Sequence, residues 1–486
     1  MKTVYFRELE SYPKLDIRKL LGKEIFEKLL ESNHIVVDNK NCKFDFVGVI
    51  LLNEHVLRCY PKYMDYIPPT EFNELEDDLK ESREDLEDII GEDFEDVMRA
   101  IKKYKKQYEP FQYENEELEK IPFNLLSLML FFIEDYYENG IYSNIQNILE
   151  VNGDGEINWD KTINDSFALI KNRRPYYTEL YTRHKIDDSF NYFRLLHECI
   201  ITECSKCLEK AGLLEIFDLT PVELSDLDLD DFDDKWFIKN KIEKELNLEF
   251  NTHKQKLLKS MQAYVCKEKS FSNKNFLTLY GANAYEKVWE KMCAKVFNNK
   301  LEINISDLNL EIDSEFKYDS DDRLIDIIER PNWGSNKGYC NNKKETLEPD
   351  IITFFEKNFI IFDAKYYNLT FNKNQLAGQP GIGDITKQYL YQLAYKDFIK
   401  YANFEGVKNA FLMPTSDSKV KNIGCVELKM LHDLYLENTK IPLENIQVIL
   451  LPAKEITKKY LKNGVMDISR LELENPCPKC PHYDNK

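Results

Sequence analysis

The fold is decided by residues 348–367, which read EPDIITFFEKNFIIFDAKYY. Two short apolar segments, 351–355 and 359–362, flank a polar Glu-Lys-Asn turn, so the pattern predicts a β-hairpin whose strands are mostly buried. Asp350 then stands at the start of one strand and Asp363 near the end of its partner. Because side chains alternate along a strand, Asp363 and Lys365 share one face while Ala364 points into the core. We therefore expect three charged groups to converge at one end of a sheet.

These residue types suit the metal-dependent hydrolysis of phosphodiesters. Mg²⁺ prefers carboxylate ligands, and in such sites it neutralises phosphoryl charge and activates the attacking water. Asp350, Asp363 and the main-chain carbonyl of Ala364 are the predicted ligands, with Mn²⁺ as an alternative ion. Lys365 is expected to orient the water and to stabilise developing negative charge. The plainer interpretation is an amphipathic hairpin whose charged residues are solvated or form a surface ion pair.

Two helices are predicted to flank the hairpin. Residues 283–297 place apolar side chains at helical spacing, and Glu290 lies beside the stripe that should pack inward. A solvated glutamate is the alternative interpretation. Downstream, Asp384 follows the glycine-rich stretch 378–383 and can cap a second helix. Gln388, Tyr391 and Gln392 fall on one face of that helix at i, i+3 and i+4.

The order of these motifs resembles the PD-(D/E)XK nuclease superfamily, in its branch with a glutamine-tyrosine helix after the core hairpin. More narrowly, the chain is similar to the LlaJI-type restriction endonuclease family, whose nuclease subunits are related to McrC. The stretches that carry this closer resemblance are Trp289–Cys293, Glu348–Ile352 and Phe362–Tyr367, together with Gly155–Asn164, Tyr177–Leu180 and Asp187–Asp188 farther upstream.

The resemblance implies a Mg²⁺-dependent deoxyribonuclease that cuts double-stranded DNA with a separate McrB-like GTP-dependent AAA+ motor. It assigns Asp350, Asp363 and Lys365 to the catalytic core. It also assigns Glu290 to the acid of the preceding helix, as a further metal ligand. Gln388 and Tyr391 match the trailing helix, where Gln392 or Tyr395 can take the place of Tyr391.

Length and composition predict a mixed α/β, multidomain protein. At 486 residues the chain exceeds one core, and 43% hydrophobic residues suffice for several. We expect a β-rich N-terminal domain with an acidic helical linker over residues 1–118 and a mainly helical domain over 119–262. The nuclease domain, a central mixed sheet flanked by helices, is expected over 263–486. The strand-like pieces 42–52 and 55–60 predict a hairpin near the N-terminus, and resemblance implies that this end docks the motor.

A net charge of −20 is unusual for a protein that contacts phosphate. The acids concentrate in residues 74–95 and 223–234, outside the expected nuclease core, and these runs read as solvated segments or as a docking surface for a basic partner. Lysines surround the hairpin instead, at positions 337, 343, 344, 365, 373 and 387.

Several classes of function are not supported by the sequence. No stretch has the length and apolar character of a membrane span, and no signal peptide is evident, so we expect a cytoplasmic protein. No P-loop pattern occurs, so nucleotide is expected to bind another polypeptide. The eleven cysteines favour reduced thiols. Cys477 and Cys480 form half of a zinc-ligand pattern, but a structural zinc site needs four ligands, so zinc is not expected there.

Three hypotheses follow from the sequence. The first is a Mg²⁺-dependent endonuclease subunit of a restriction system that works with a motor in phage defence. The second is a RecB-like DNA repair exonuclease with a similar core. The third is an inactive nuclease fold that serves as a scaffold and activates a motor partner.

Overall fold

The computed structural model describes most of the chain, in ranges separated by gaps. The described residues are 2–51, 55–65, 84–108, 125–143, 145–187, 191–267, 278–336, 338, 340–342, 346–372, 375–431 and 441–473. Contacts divide the chain into two compact units. Residues 2–111 and 281–486 form one, called here the sheet unit, and residues 112–280 form the other, called the middle unit. The three predicted domains, with boundaries at 118 and 262, stay a prediction.

The architecture is mixed α/β, as the sequence predicts, and its elements are numbered here in chain order. The strands are β1 (Lys2–Arg7), β2 (Tyr12–Pro13), β3 (Ile35–Asp38), β4 (Asn41–Phe44), β5 (Val47–Leu51), β6 (His55–Tyr60), β7 (Ile145–Val151), β8 (Glu156–Ile157), β9 (Ala168–Lys171), β10 (Arg174–Tyr177), β11 (Tyr181–Asp187), β12 (Thr278–Ala282), β13 (Asn332–Gly334), β14 (Cys340–Asn342), β15 (Ile351–Phe355), β16 (Asn358–Ala364), β17 (Thr370–Asn372), β18 (Gln375–Ala377), β19 (Gly406–Thr415), β20 (Lys421–Val426) and β21 (Ile446–Pro452). The helices are α1 (Lys14–Leu21), α2 (Lys23–Glu31), α3 (Glu84–Tyr108), α4 (Leu125–Asn139), α5 (Trp159–Asp165), α6 (Tyr192–Lys210), α7 (Leu213–Ile216), α8 (Lys235–Leu246), α9 (Thr252–Lys267), α10 (Tyr285–Val296), α11 (Ile382–Ala394), α12 (Lys396–Tyr401) and α13 (Ala453–Leu461).

The main sheet of the sheet unit has five strands in the order β15-β16-β19-β21-β20. The predicted hairpin is confirmed as β15 and β16, which pair antiparallel, and β16 then pairs parallel with β19. In the turn between β15 and β16, Glu356 has a φ of 52°. Near-continuous apolar runs are typical of strands covered on both faces, and β16 is buried from Phe359 to Ala364.

Helices α10 and α11 contact β16 on opposite faces. The ring of Phe362 lies 5.2 Å from that of Phe297, just after α10, and the ring of Phe359 lies 5.1 Å from that of Tyr395, just after α11. Since residues 359, 361 and 363 share a face, Asp363 emerges on the α11 side of the sheet. The helix predicted over 283–297 spans Tyr285–Val296, close to expectation.

The prediction of one strand over residues 42–52 is wrong. The segment forms two strands, β4 and β5, which belong to different sheets. The chain leaves the first sheet at Asp45, whose N–H donates to the carbonyl of His34 at 2.9 Å. The expected hairpin with residues 55–60 is formed by β5 and β6, which pair antiparallel.

The middle unit is more mixed than its composition suggested. The apolar runs that predicted helices lie in α4 and α6, and α6 begins at an Asn191 cap that accepts from two backbone N–H groups. Between these helices, residues 145–187 also hold five strands, in the sheet β7-β11-β8 and the hairpin β9-β10. Short alternating segments without long apolar runs carry a weak signal, which explains why the sequence did not indicate them.

Candidate active site at the end of the hairpin

The two aspartates of the hairpin lie side by side. Asp350 directly precedes β15, and the pairing of Ile351 with Phe362 places it opposite Asp363 on β16. The Oδ2 atom of Asp350 accepts the backbone N–H of Ala364 at 2.8 Å, and the negative charge of Asp363 acts on the Asp350 carboxyl. The predicted convergence of these two acids at one end of the sheet is therefore found in the structure.

Lys365 joins this pair through an ion pair. Its Nζ lies 2.8 Å from Oδ2 of Asp363 and 3.1 Å from Oδ1 of Asp384 on α11. Its backbone N–H donates to the carbonyl of Leu412 on β19 at 2.9 Å, so the main chain here is held by the sheet. The lysine side chain is only 19% exposed, which distinguishes this contact from a solvated surface pair.

Burial sets the electrostatics of the site. It raises the pKa of the Asp350 carboxyl to about 8, with further contributions from the negative charges of Asp363 and Glu290. Burial also raises the pKa of Asp363, although Lys365 partly offsets this effect. Burial alone would lower the pKa of the Lys365 ammonium, but Asp363 and Asp384 outweigh it and raise that pKa. The site thus holds more negative charge than its own lysine stabilises.

Glu290 lies at the margin of this cluster. It sits on α10, next to the fully buried Trp289, whose indole N–H donates to the Leu412 carbonyl at 3.2 Å. Its carboxylate pairs with Lys291 at 3.3 Å and is about one third exposed. Its charge reaches Asp350 and contributes to the raised pKa there. The structure therefore brings Glu290 near the aspartates without joining it to them directly.

The glutamines and tyrosines of α11 divide into two sets. Tyr391 donates its hydroxyl to the Glu348 carbonyl at 2.8 Å, and its pKa is raised by burial first and then by Asp363 and Asp350. Gln388 is fully buried, and neither atom of its amide has a hydrogen-bond partner among the described residues. Tyr391 therefore lies on the side of the helix nearest the hairpin, and Gln388, three residues before it, shares that face of the helix.

The alternative residues of α11 have structural partners. Gln392 exchanges two hydrogen bonds with the backbone of Glu444, at 3.0 and 2.9 Å. Tyr395 donates to the carbonyl of Leu324 at 3.1 Å. These partners, Glu444 and Leu324, are distant from the hairpin in sequence, whereas Tyr391 bonds to Glu348, two residues before Asp350, and senses the charges of Asp363 and Asp350. The geometry therefore favours Tyr391 for the trailing-helix position.

Two residues that the sequence did not single out support the site. Asn299 follows α10 and holds the hairpin from outside: its Nδ2 donates to the Asp350 carbonyl at 3.0 Å, and its Oδ1 accepts the Ile352 N–H at 2.9 Å. Asp384 was expected only as a helix cap. Helix α11 begins three residues earlier than this expectation, with its cap at Gly381, and Asp384 in its first turn contacts both Gly381 and Lys365.

A divalent cation fits the donor set of the hairpin. In the part of the chain that the structure describes, no three His, Cys, Asp or Glu side chains are close enough to form a metal cluster by themselves. Mg²⁺, however, is commonly held by one or two carboxylates, with water and phosphate oxygens completing its shell. Asp363 is buried and the adjacent Asp350 half-buried, both have raised pKa values, and a cation would stabilise their ionised form.

Other predicted features lie outside the described residues, or the structure does not test them. Cys477 and Cys480 fall beyond residue 473, the last described residue. Lysines 337, 343, 344 and 373 lie in the gaps between the described ranges, while Lys387 is exposed on α11. The acidic run 223–234 is largely exposed, and its proposed docking role stays a prediction. None of the helices in the described ranges has the length and apolar character that crossing a bilayer requires.

The fold and the site define a mixed α/β protein with an acid-lysine cluster at the end of a sheet hairpin. The chain belongs to the LlaJI restriction endonuclease family, whose model matches residues 46–454. The resemblance to this family inferred from the sequence motifs is thus confirmed, while the assignment to the PD-(D/E)XK superfamily stays a prediction. Membership makes this chain a nuclease component of a restriction system.

Individual relatives agree with the family. The chain is 27% identical over 493 residues to the type II restriction enzyme BsuMI component YdjA of Bacillus subtilis (strain 168), covering 99% of this chain and 96% of that protein. Among solved structures, it resembles a half-complex of Thermococcus gammatolerans McrB AAA+ hexamers with bound McrC, with a TM-score of 0.36 and 10% identity over 95% of this chain and 100% of that one. A cryo-EM structure of the Thermococcus gammatolerans McrBC complex gives a TM-score of 0.24 and 12% identity over 60% and 86% of the two chains. Structural similarity at this level assigns no functional residue and no binding partner to this chain.

Proposed function

We propose that the protein is a Mg²⁺-dependent DNA endonuclease subunit that works with a separate GTP-dependent AAA+ motor of the McrB type. One observation carries the catalytic part of the proposal. Asp350, Asp363 and Lys365 meet at the end of the hairpin, where the carboxyl groups interact and the ammonium lies 2.8 Å from Asp363. A hairpin with merely solvated ends would not bury these groups.

The two aspartates and the Ala364 carbonyl would hold the ion at the hairpin end. When bound, Mg²⁺ supplies charge neutralisation at the phosphoryl group and activation of a water nucleophile. Ala364 fixes Asp350 by donating its N–H to Oδ2 of that carboxylate. Lys365 places a positive charge beside Asp363, where it can orient the water and stabilise negative charge as it develops.

Helix α11 would complete the site from the other side. Tyr391 holds the carbonyl of Glu348, two residues before Asp350, so it fixes the entry of the hairpin. The Gln388 amide, which lacks a partner among the described residues, supplies a donor and an acceptor for a substrate or a water molecule. Glu290 would act at longer range, as a further negative charge that favours a cation near Asp350.

The need for a motor partner rests on the family and on the sequence. The sequence given contains no P-loop pattern that would bind a nucleotide phosphate. The Bacillus subtilis relative is named as one component of a restriction enzyme. By resemblance, the N-terminal end of the chain is the part that engages the motor.

Cleavage of covalently closed circular DNA tests the function. The full-length chain, with the subunits that co-purify with it, should cut the circle when Mg²⁺ is present and should not cut it in EDTA. Asp363→Asn and Lys365→Ala should each abolish cutting, whereas the exposed control Asp397→Asn should cut at the wild-type rate. Withholding GTP tests whether the motor is required.

Three outcomes would contradict the proposal. Unchanged Mg²⁺-dependent cutting by Asp363→Asn would show that the site lies elsewhere. Digestion of linear DNA from its ends, with closed circles left intact, would favour a repair exonuclease. Stimulation of a partner's GTP hydrolysis without any cutting by the wild-type complex would favour an inactive scaffold.

A further inference from the structure

Lys365 is held between two carboxylates that come from different elements. Its Nζ lies 2.8 Å from Asp363 on β16 and 3.1 Å from Asp384 on α11. The exposed fractions of the Lys365 and Asp384 side chains are 19% and 27%, so water screens the second pair only partly. The lysine therefore connects the catalytic strand to the first turn of the helix that follows it.

The carboxylate of Asp384 is itself held in one orientation. Its Oδ2 accepts the backbone N–H of Gly381 at 3.2 Å, while the N–H of Asp384 donates to the Gly381 carbonyl at 3.1 Å. This contact satisfies one of the unpaired N–H groups near the helix start. It leaves Oδ1 directed at Lys365, so the two oxygens of one side chain serve two different partners.

We propose that Asp384 is the positioning residue for Lys365, an inference that rests on the proposed nuclease function. If Asp363 holds a divalent cation, part of its charge is shared with the ion, and the ion repels the neighbouring ammonium. Asp363 alone then retains the lysine poorly. Asp384 lies outside the predicted ligand set, so its full charge stays available to keep Nζ beside the reacting phosphate.

A simple capping role is the competing explanation, and two substitutions separate it from positioning. Asp384→Asn keeps an oxygen that can accept the Gly381 N–H but removes the negative charge. Asp384→Ala removes both. If Asp384 positions Lys365, both variants lose activity to a similar extent, while only Asp384→Ala also lowers the melting temperature. If Asp384 only caps the helix, Asp384→Asn should behave like the wild type in both measurements.

Cleavage kinetics provide the first measurement, made on the full-length chain with its co-purifying subunits. We expect Asp384→Asn to lower kcat about tenfold, which is the effect of losing about 1.4 kcal/mol of charge-assisted contact in the transition state. KM for DNA should change less than twofold, because Asp384 touches the lysine and not the substrate. Asp397→Asn, an exposed acid in the first turn of α12, is the matched control and should leave kcat unchanged.

Lysine reactivity provides a second measurement that requires no nuclease activity. In EDTA, a limiting amount of acetic anhydride modifies each lysine at a rate that peptide mass spectrometry can follow. Removing the Asp384 charge should increase the rate at Lys365 severalfold, while the rate at Lys387 on the same helix serves as an internal reference. An unchanged rate at Lys365 would show that Asp384 does not restrain it.

The two measurements keep this inference separate from the proposed function. If the wild-type complex cuts DNA and Asp363→Asn does not, but Asp384→Asn cuts at the wild-type rate, the function stands and the positioning role is overturned. If the wild-type complex does not cut DNA at all, the proposed function fails. In that case Lys365 acetylation alone decides whether Asp384 holds the lysine.

Discussion

Replacing Glu8 with glutamine should remove a pH-dependent loss of stability from the sheet unit. Glu8 follows β1 and is 4% exposed. Its Oε2 accepts the hydroxyl of Tyr366 at 2.5 Å and the backbone N–H of Lys62 at 3.2 Å. Burial raises the pKa of this carboxyl from 4.5 to about 7, against the opposing effects of Tyr366 and Lys62, while Asp45 adds to the rise.

The sign and size of the effect follow from this shift. Because the folded state favours the protonated acid, the stabilising contribution of Glu8 is complete below pH 4.5. It is lost as the pH rises towards 7. Each pKa unit corresponds to 1.36 kcal/mol, so the free energy of unfolding should fall by about 3 kcal/mol over this interval. Glutamine keeps an acceptor for both donors and cannot ionise, so Glu8→Gln should be more stable than the wild type by about that amount at pH 8.

Urea unfolding followed by tryptophan fluorescence measures this difference. Trp289 is fully buried in the sheet unit, whereas Trp159, Trp236 and Trp333 are all more than half exposed. The spectral shift on unfolding therefore reports mainly on the unit that contains Glu8. The two proteins should have equal stability near pH 4.5 and diverge above it. The exposed Glu31→Gln variant is the control and should follow the wild type.

Parallel stability curves for Glu8→Gln and the wild type from pH 4.5 to 8 would refute the reasoning. They would mean that the carboxylate is as well solvated when folded as when unfolded. A variant that matches the wild type near pH 4.5 and becomes less stable than it as the pH rises would show that the charged form of Glu8 is favoured, through Lys62, despite its burial.

Further predictions concern the active site. Asp350→Asn keeps an acceptor for the Ala364 N–H and removes the charge, so in EDTA above pH 8 it should raise the melting temperature, with a gain in unfolding free energy on the order of 5 kcal/mol. Mg²⁺ should raise the melting temperature of the wild type but not of this variant, and an equal rise in both would place the ion elsewhere. Gln388→Leu removes a buried amide without a partner among the described residues, so it should leave stability unchanged or raise it by about 1 kcal/mol while slowing DNA cleavage. Gln392→Ala should instead cost about 2 kcal/mol in urea unfolding, because it breaks two hydrogen bonds to Glu444. If Gln388→Leu were the more destabilising of the two variants, the roles assigned to Gln388 and Gln392 would be reversed.

The hairpin and its acids were predictable because their signals are local. Two apolar runs around a short polar turn specify β15 and β16, and the alternation of side chains then places Asp363 and Lys365 on one face. Antiparallel pairing brings Asp350 opposite Asp363 without any information from distant parts of the chain. The same local signals located α10 and α11 to within a few residues.

The contacts that hold the site were not predictable, because they join segments far apart in sequence. Nothing in the local pattern distinguishes Asn299 from other polar residues after a helix, yet it bonds to the backbone on both sides of Ile351. Asp384 carried a capping signal, and its second contact depends on how α11 packs against β16. Similarly, the break between β4 and β5 at Asp45 coincides with a hydrogen bond to His34, which lies just before β3.

The site lowers the stability of the protein, and this distinguishes a functional site from an ordinary amphipathic hairpin. An amphipathic hairpin needs its charged residues only at solvated ends, where they cost little. Here the structure buries Asp350 against Asp363 and leaves the Gln388 amide without a partner among the described residues. Each arrangement lowers stability, and a neutral residue in place of the aspartate or an apolar residue in place of the glutamine would avoid that loss. Such arrangements are expected where another species supplies the missing interactions, and a cation between the carboxylates with a phosphate beside Lys365 would do so.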